Sequence, residues 1–274
     1  MNGLRFTKGQ PDMITSANNS KLKLVRSLAG RSKERREAGA FLAEGVRLVE
    51  EALASEWPFR FVLHAGEPSP RAQKLIASLR QRGIEVEAVS EKLLASLSDT
   101  ETSQGILAVL EDERPQSARA LNFVLIADAI RDPGNLGTLM RTAEAAGFEA
   151  VFLAPGTVDA FAPKVVRAGM GAHFRLPVYE VNWDEINTQV RAYHWRVFLA
   201  DMEGMSCWEV DLQPPLALIV GGEAEGASTE ARQLATQTLG IPMQGCGESL
   251  NAAVAGAVLM FEVARQAQIR AGST

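Results

Sequence analysis

At 274 residues, with 46% hydrophobic and 22% charged residues, the chain has enough apolar material for about two globular domains. No apolar run approaches the ~20 residues of a bilayer span, which excludes an integral membrane helix on sequence grounds. The formal charge of −5 argues by itself against nucleic acid, yet it is unevenly spread: residues 1–50 hold ten Lys or Arg against five Asp or Glu.

The first residues, 1–14, read as a flexible tail with no apolar centre of the kind that marks a secretory signal, and predict a cytoplasmic protein. Helices are predicted at 20–29 and 44–55, a strand at "FRFVLHA" (59–65), a helix at 70–82 and a strand at "IEVEAV" (84–89). A short helix near 90–98 and the strand "GILAVLE" (105–111) follow, making a small α/β unit over 15–110. Within it, Lys21, Lys23, Arg26, Arg31, Lys33, Arg35 and Arg36 face a single acid, Glu34. Such a run is either a solvated helix face or a surface that contacts RNA phosphates. Residues 111–120, "EDERPQSARA", are charged, contain Pro115 and lack a hydrophobic period, so they read as a linker.

The second half, 121–270, restarts with "FVLIAD" (123–128), a continuous apolar run suited to a buried parallel strand. Further strands are predicted at "AVFLAP", "LPVYEV", "WRVFLAD", "LALIVGG" and "TLGIPM", with helical segments between most of them. The order implies a doubly wound parallel sheet with ligands at the carboxyl ends of its strands. The last helix is predicted to start from an N-cap at Ser249 and to bury a stripe of Leu250, Val254, Val258 and Phe261. Ala252, Ala253, Ala255 and Gly256 leave little side chain on another of its faces, where a backbone or a ligand could approach. Ala253, Ala257, Met260 and Ala264 form a second apolar face, and one domain core normally needs only one.

Several chemistries are disfavoured. Cys207 and Cys246 are far apart, and His64, His173 and His194 lack ligand spacing, so neither a metal site nor a disulfide framework is expected. "GGEAEG", "GMGAHF" and "GCGESL" all lack the full dinucleotide fingerprint, and no P-loop is present. "GESLN" has Asn251 where a nucleophile elbow ends in Gly, and no His follows Ser249, which argues against a serine hydrolase.

Three polar loops that follow predicted strands remain. "N-x-G-x-x-x-R" at 135–141, "G-x-E-x-x-G" at 221–226 and "IPM…SLN" at 241–251 together resemble the SpoU (TrmH-type) family of RNA ribose 2′-O-methyltransferases, within the SPOUT superfamily. The resemblance implies a catalytic domain at 121–270 whose parallel sheet carries a deep trefoil knot, preceded at 15–110 by a ribosomal-protein-like RNA-binding domain. It implies S-adenosylmethionine as cofactor, held by Gly221, Ile241 and Leu250 with Ala200, Gly222 and Met243 nearby. Asn135, Arg141, Glu223, Ser249 and Asn251 are implied as the catalytic group. A guanidinium is essentially always protonated. Arg141 therefore reads as an electrostatic stabiliser of the developing alkoxide, with Glu223 a candidate indirect proton acceptor. The expected substrate is structured RNA, ribosomal RNA first, and the expected assembly is a homodimer. A tRNA 2′-O-methyltransferase, or an RNA-binding protein that keeps the fold without catalysis, is the alternative.

Overall fold

The computed structural model describes residues 13–97, 105–113, 121–222, 226–245 and 249–271. Its contacts divide the chain into two units, residues 1–113 and 114–274.

In the first unit, α1 (Ser20–Ala29) presents Leu22, Val25 and Leu28 to the sheet at helical spacing, and all three are fully buried. The basic run does not form one continuous face. It is broken at Gly30 and resumes as α2 (Ser32–Ala38), which ends at Gly39 with φ 58°, a left-handed cap that suits glycine. β1 (Ala40–Glu44) comes next, an element that the sequence pattern hides between two helices. α3 (Val46–Ala54), β2 (Phe59–Ala65), α4 (Pro70–Gln81), β3 (Val86–Val89), α5 (Glu91–Ala95) and β4 (Ile106–Glu111) complete the unit. The sheet order is β1-β4-β2-β3, with β4 antiparallel to both neighbours and β2 parallel to β3.

Two boundaries move. Ile14, placed by sequence in a flexible tail, is buried in this core and bridges Val89, donating its N–H to the Ala88 carbonyl at 2.8 Å. An isoleucine gains more from that apolar pocket than from water. Glu111, the first residue of the expected linker, is the last residue of β4 and pairs with Ala40. Residues 114–120 of that linker lie outside the described residues.

The second unit is a six-stranded parallel sheet of β5 (Phe123–Asp128), β6 (Ala150–Leu153), β7 (Val178–Glu180), β8 (Arg196–Ser206), β9 (Leu216–Gly221) and β10 (Gln237–Gly240), in the order β10-β8-β9-β5-β6-β7. The helices are α6 (Pro133–Ala145), α7 (Pro163–Gly169), α8 (Trp183–Tyr193), α9 (Thr229–Leu234) and α10 (Ala252–Ala271). Val124, Ile126, Phe152, Val197 and Ile219 pack on one side with Ile186 of α8 and Ala231 of α9. On α10, Gly256 sits so close that a Cβ there would overlap Leu139 of α6 and approach Val220 of β9. Helices thus cover both faces, and the central strands are buried on both sides, which is why they are continuously apolar.

The last helix is turned relative to its expected orientation. Ala253, Gly256, Leu259, Met260 and Val263 are buried, whereas Leu250, Val254 and Phe261 are 39%, 48% and 53% exposed. Contact with α6 requires small residues, and the row containing Gly256 satisfies it better than a row of branched ones. Its cap also differs. Asn251, not Ser249, accepts from the N–H groups of Ala253 at 2.9 Å and Val254 at 3.2 Å.

Candidate functional site

The carboxyl ends of β8, β9 and β10 surround a cavity of about 830 Å³. Its position follows from the register. Thr238 pairs with Leu199 but Leu239 pairs with Met205, so residues 200–204 of β8 leave the ladder and form one wall. A second wall is Gly221 and Gly222 at the end of β9, with Gly226 and Ala227 beyond them. The third runs from Gly240 through Ile241, Pro242 and Met243, and Ser249 to Ala252 close the cavity where α10 begins.

Much of this wall is backbone. A Cβ on Gly221 would lie 2.8 Å from Ala227 Cα, and one on Gly222 would lie 2.5 Å from the Ala129 carbonyl oxygen. Any other residue at either position would push the loop out of place. One ion pair stands in the wall: Arg232 of α9 donates to Asp201 at 2.8 Å. The N–H of Glu203 and the Arg232 guanidinium both hold the Asp201 carboxyl below the usual carboxylate range. Sequence reasoning did not single out this pair, although Asp201 at the end of a predicted strand is where the parallel-sheet rule places ligand-facing groups.

All six residues expected to hold a cofactor, Ala200, Gly221, Gly222, Ile241, Met243 and Leu250, line this cavity, together with Ser249 and Asn251. Asn251 also donates from Nδ2 to Oδ1 of Asn135 at 3.0 Å, which joins two of the motifs directly. Asn135 is not the cap of α6. Asp132 accepts the Asn135 N–H at 2.8 Å and Pro133 occupies the first turn, so the Asn135 side chain is left to meet Asn251. Arg141 lies in the third turn of α6, is exposed, and is not part of the cavity wall. Glu223 lies outside the described residues.

The basic residues of the first unit separate into two groups. Arg35 is 5% exposed and donates to the carbonyls of Leu28 at 2.8 Å and Gly30 at 2.9 Å, so it fastens α2 to the end of α1. Lys21 bridges Glu85 and Glu87, both at 2.7 Å, over the face of Phe61. Both cations thus have partners within the first unit. Lys23, Arg26, Arg31, Lys33 and Arg36 are exposed. Among the described residues no group of three or more His, Cys, Asp or Glu could hold a metal ion, and no helix is long and apolar enough to cross a membrane.

Residues 122–261, the whole span from β5 into α10, match the SpoU rRNA methylase family. The chain belongs to the SpoU rRNA methylase family. Residues 19–108 match an MRM3-like substrate binding domain, so both units have counterparts. Among SpoU-type relatives, the chain is 38% identical over 253 residues to the Bacillus subtilis 23S rRNA (guanosine(2553)-2′-O)-methyltransferase RlmP, covering 91% of this chain and 98% of that one. It is 32% identical over 267 residues to a 23S rRNA (uridine(2479)-2′-O)-methyltransferase from Streptomyces viridochromogenes, covering 92% of each. The AdoMet-bound rRNA methyltransferase from Sinorhizobium meliloti superimposes with a TM-score of 0.79 at 31% identity, covering 94% of this chain and 98% of that chain.

Proposed function

We propose that this SpoU-type chain transfers a methyl group from S-adenosylmethionine to a ribose 2′-hydroxyl of ribosomal RNA, and that the cavity at the ends of β8, β9 and β10 is where the cofactor binds. The observation that carries this reading is the convergence of all six expected cofactor residues on one cavity whose walls are largely glycine backbone. A volume of about 830 Å³ is of the size that takes a nucleoside-bearing ligand. Gly221, Ile241 and Leu250 would hold the adenosine, with main-chain groups and apolar cover rather than a phosphate loop. The cofactor supplies an electrophilic methyl group.

The chain supplies the rest. Asn251, fixed by capping α10 and by its bond to Asn135, orders the floor beneath the reacting ribose. Holding two reactants in line accounts for much of the rate of such a transfer. Arg141 carries a permanent positive charge on the same helix as Asn135 and stabilises the alkoxide as it develops, while also engaging the neighbouring phosphate. Ser249 and Glu223 complete the proposed group, Glu223 as indirect proton acceptor. The names of the two relatives place their targets on a guanosine and on a uridine at different positions of 23S rRNA. An rRNA substrate suits a cytoplasmic location.

Two further features belong to this reading. The first is the trefoil knot that the family resemblance implies for the second unit. The second is a homodimer, supported by Val254 and Phe261, large apolar residues exposed on α10.

Transfer of tritium from labelled cofactor to rRNA tests the activity. Arg141→Ala is expected to abolish transfer and leave cofactor affinity within about threefold, because its charge acts on ribose and phosphate. Leu250→Arg is expected to abolish cofactor binding measured by calorimetry. Near-normal turnover in the first, or undiminished binding in the second, would refute the corresponding assignment.

A further inference from the structure

β5 ends on Asp128, a carboxylic acid with no exposure to solvent at all. Its Oδ2 accepts the backbone N–H of Ser228 at 2.7 Å, and its Oδ1 has no hydrogen-bond partner among the described residues. Burial pushes the pKa of this carboxyl up, and the bonds from Ser228 oppose that rise. A carboxyl held dry on so few partners is costly, and an apolar side chain would pack the same space more cheaply. Its retention calls for a reason in what it holds.

Asp128 grips both ends of one loop. In the sheet it is the register partner of Gly221, the residue on which β9 ends. Its carboxyl takes the N–H of Ser228, the cap on which α9 begins. Between those points Gly222 bridges Gly226 and is pressed against the carbonyl of Ala129, which itself adopts the left-handed conformation with φ 52°. Gly221, Gly222, Gly226 and Ala227 are all cavity wall. Asp128 is not in the wall, so it can act on a ligand only through the loop.

We infer that Asp128 is a positioning residue for S-adenosylmethionine: by tying Ser228 to the end of β5 it holds Gly226 and Ala227 against Gly221 and Gly222 in the cavity wall, on which cofactor affinity depends. The inference rests on assigning the cavity to the cofactor. It requires only an acceptor at Asp128 and a donor at Ser228. Asp128→Ala removes the acceptor, whereas Asp128→Asn keeps one. Ser228→Pro removes the donor at a backbone φ of −63°, which proline adopts without strain, and Ser228→Ala keeps the donor while losing the cap to Ala231.

The experiment measures cofactor affinity by calorimetry, and KM and kcat by methyl transfer, in the full chain. Asp128→Ala and Ser228→Pro are each expected to weaken affinity about tenfold and to raise KM to match, with kcat recovered at saturating cofactor. The double variant should lose no more than either alone, and Asp128→Asn and Ser228→Ala should stay within about threefold of the parent. Unchanged affinity in Asp128→Ala or Ser228→Pro, or additive losses in the double variant, overturns the inference. Should Asp128→Ala fail to fold, Ser228→Pro against Ser228→Ala decides alone. Leu250→Arg separates the two levels: if it abolishes binding while the loop variants do not weaken it, the inference fails and the cavity assignment stands. If Leu250→Arg leaves binding intact, the cavity assignment fails and takes the inference with it.

Discussion

The helices α1 and α10 carry equally regular apolar spacing, yet one buries the residues its period points to and the other does not. α1 has one fully buried apolar row, Leu22, Val25 and Leu28, with Leu24 half-buried beside it and a mostly polar opposite side, so only one orientation hides the row from water. α10 has two apolar rows, and hydrophobicity cannot choose between them. Size chooses. The row containing Gly256 fits under Leu139 and Val220, while the larger row, with Phe261 53% and Ile269 55% exposed, stays outside. Periodicity therefore fixes a helix's orientation when one face is apolar, and packing volume fixes it when two are.

The sharpest way to test this contrast is to damage each buried face. Leu28→Ala leaves a cavity in the first unit and should cost about 3 kcal/mol, whereas Gly256→Val forces side-chain atoms into Leu139 and should cost about 2 kcal/mol. Urea denaturation checks both, and a neutral Gly256→Val would mean that α10 is not held by close approach. The exposed face should respond differently. Val254→Asp with Phe261→Asp is expected to change the stability of one chain by under about 0.5 kcal/mol while converting a dimer to single chains in light scattering. A single-chain mass for the parent protein would rule the dimer out.

On the polar side of α1 and α2, reversing Lys33 and Arg36 should weaken RNA binding, reduce the steepness of its salt dependence by about one for each phosphate no longer neutralised, and leave folding intact. An unchanged slope returns these residues to a solvated face. The smallest effect concerns Glu262, a buried acid on α10 whose bonds from Arg265 and Gln266 hold its carboxyl below the usual range. A lowered value in the folded chain means a contribution that is present above the unfolded value of about 4.5 and lost as pH falls through the folded one. Glu262→Gln should therefore be less stable than the parent at neutral pH, with the gap closing in acid. A gap that does not change from pH 7 to pH 3, followed by denaturation, would remove Glu262 as its source.

What could be read from the sequence follows the same logic. β5, β9 and β2 are legible because each is an apolar or β-branched run bounded by turns, and the cavity wall is legible because its loops are rich in glycine next to those runs. β1 is not legible: "AFLAE" runs into a helical pattern, and its partner β4 lies far along the chain, with Ala40 paired to Glu111. The burial of Arg35 is equally hidden. It depends on the break at Gly30, which exposes two carbonyls for a cation to collect. At the site, Asn135 and Asn251 are legible as polar residues in loops, but not their mutual bond. Nor is the cap by Asp132 that frees Asn135 to make it.

That bond also has a consequence in time. It joins residues 116 positions apart, between the first helix after β5 and the first turn of the last helix. As the chain leaves the ribosome, β9 can pair with β5 and complete the middle of the sheet while α10 is still being made. The bond between Asn135 and Asn251 cannot form until the chain has been made up to the start of α10. Long-range closure of this kind is the slow part of folding. A chain stopped before Ser249 would hold all six strands of the sheet yet lack Ser249 and Asn251, the partner of Asn135.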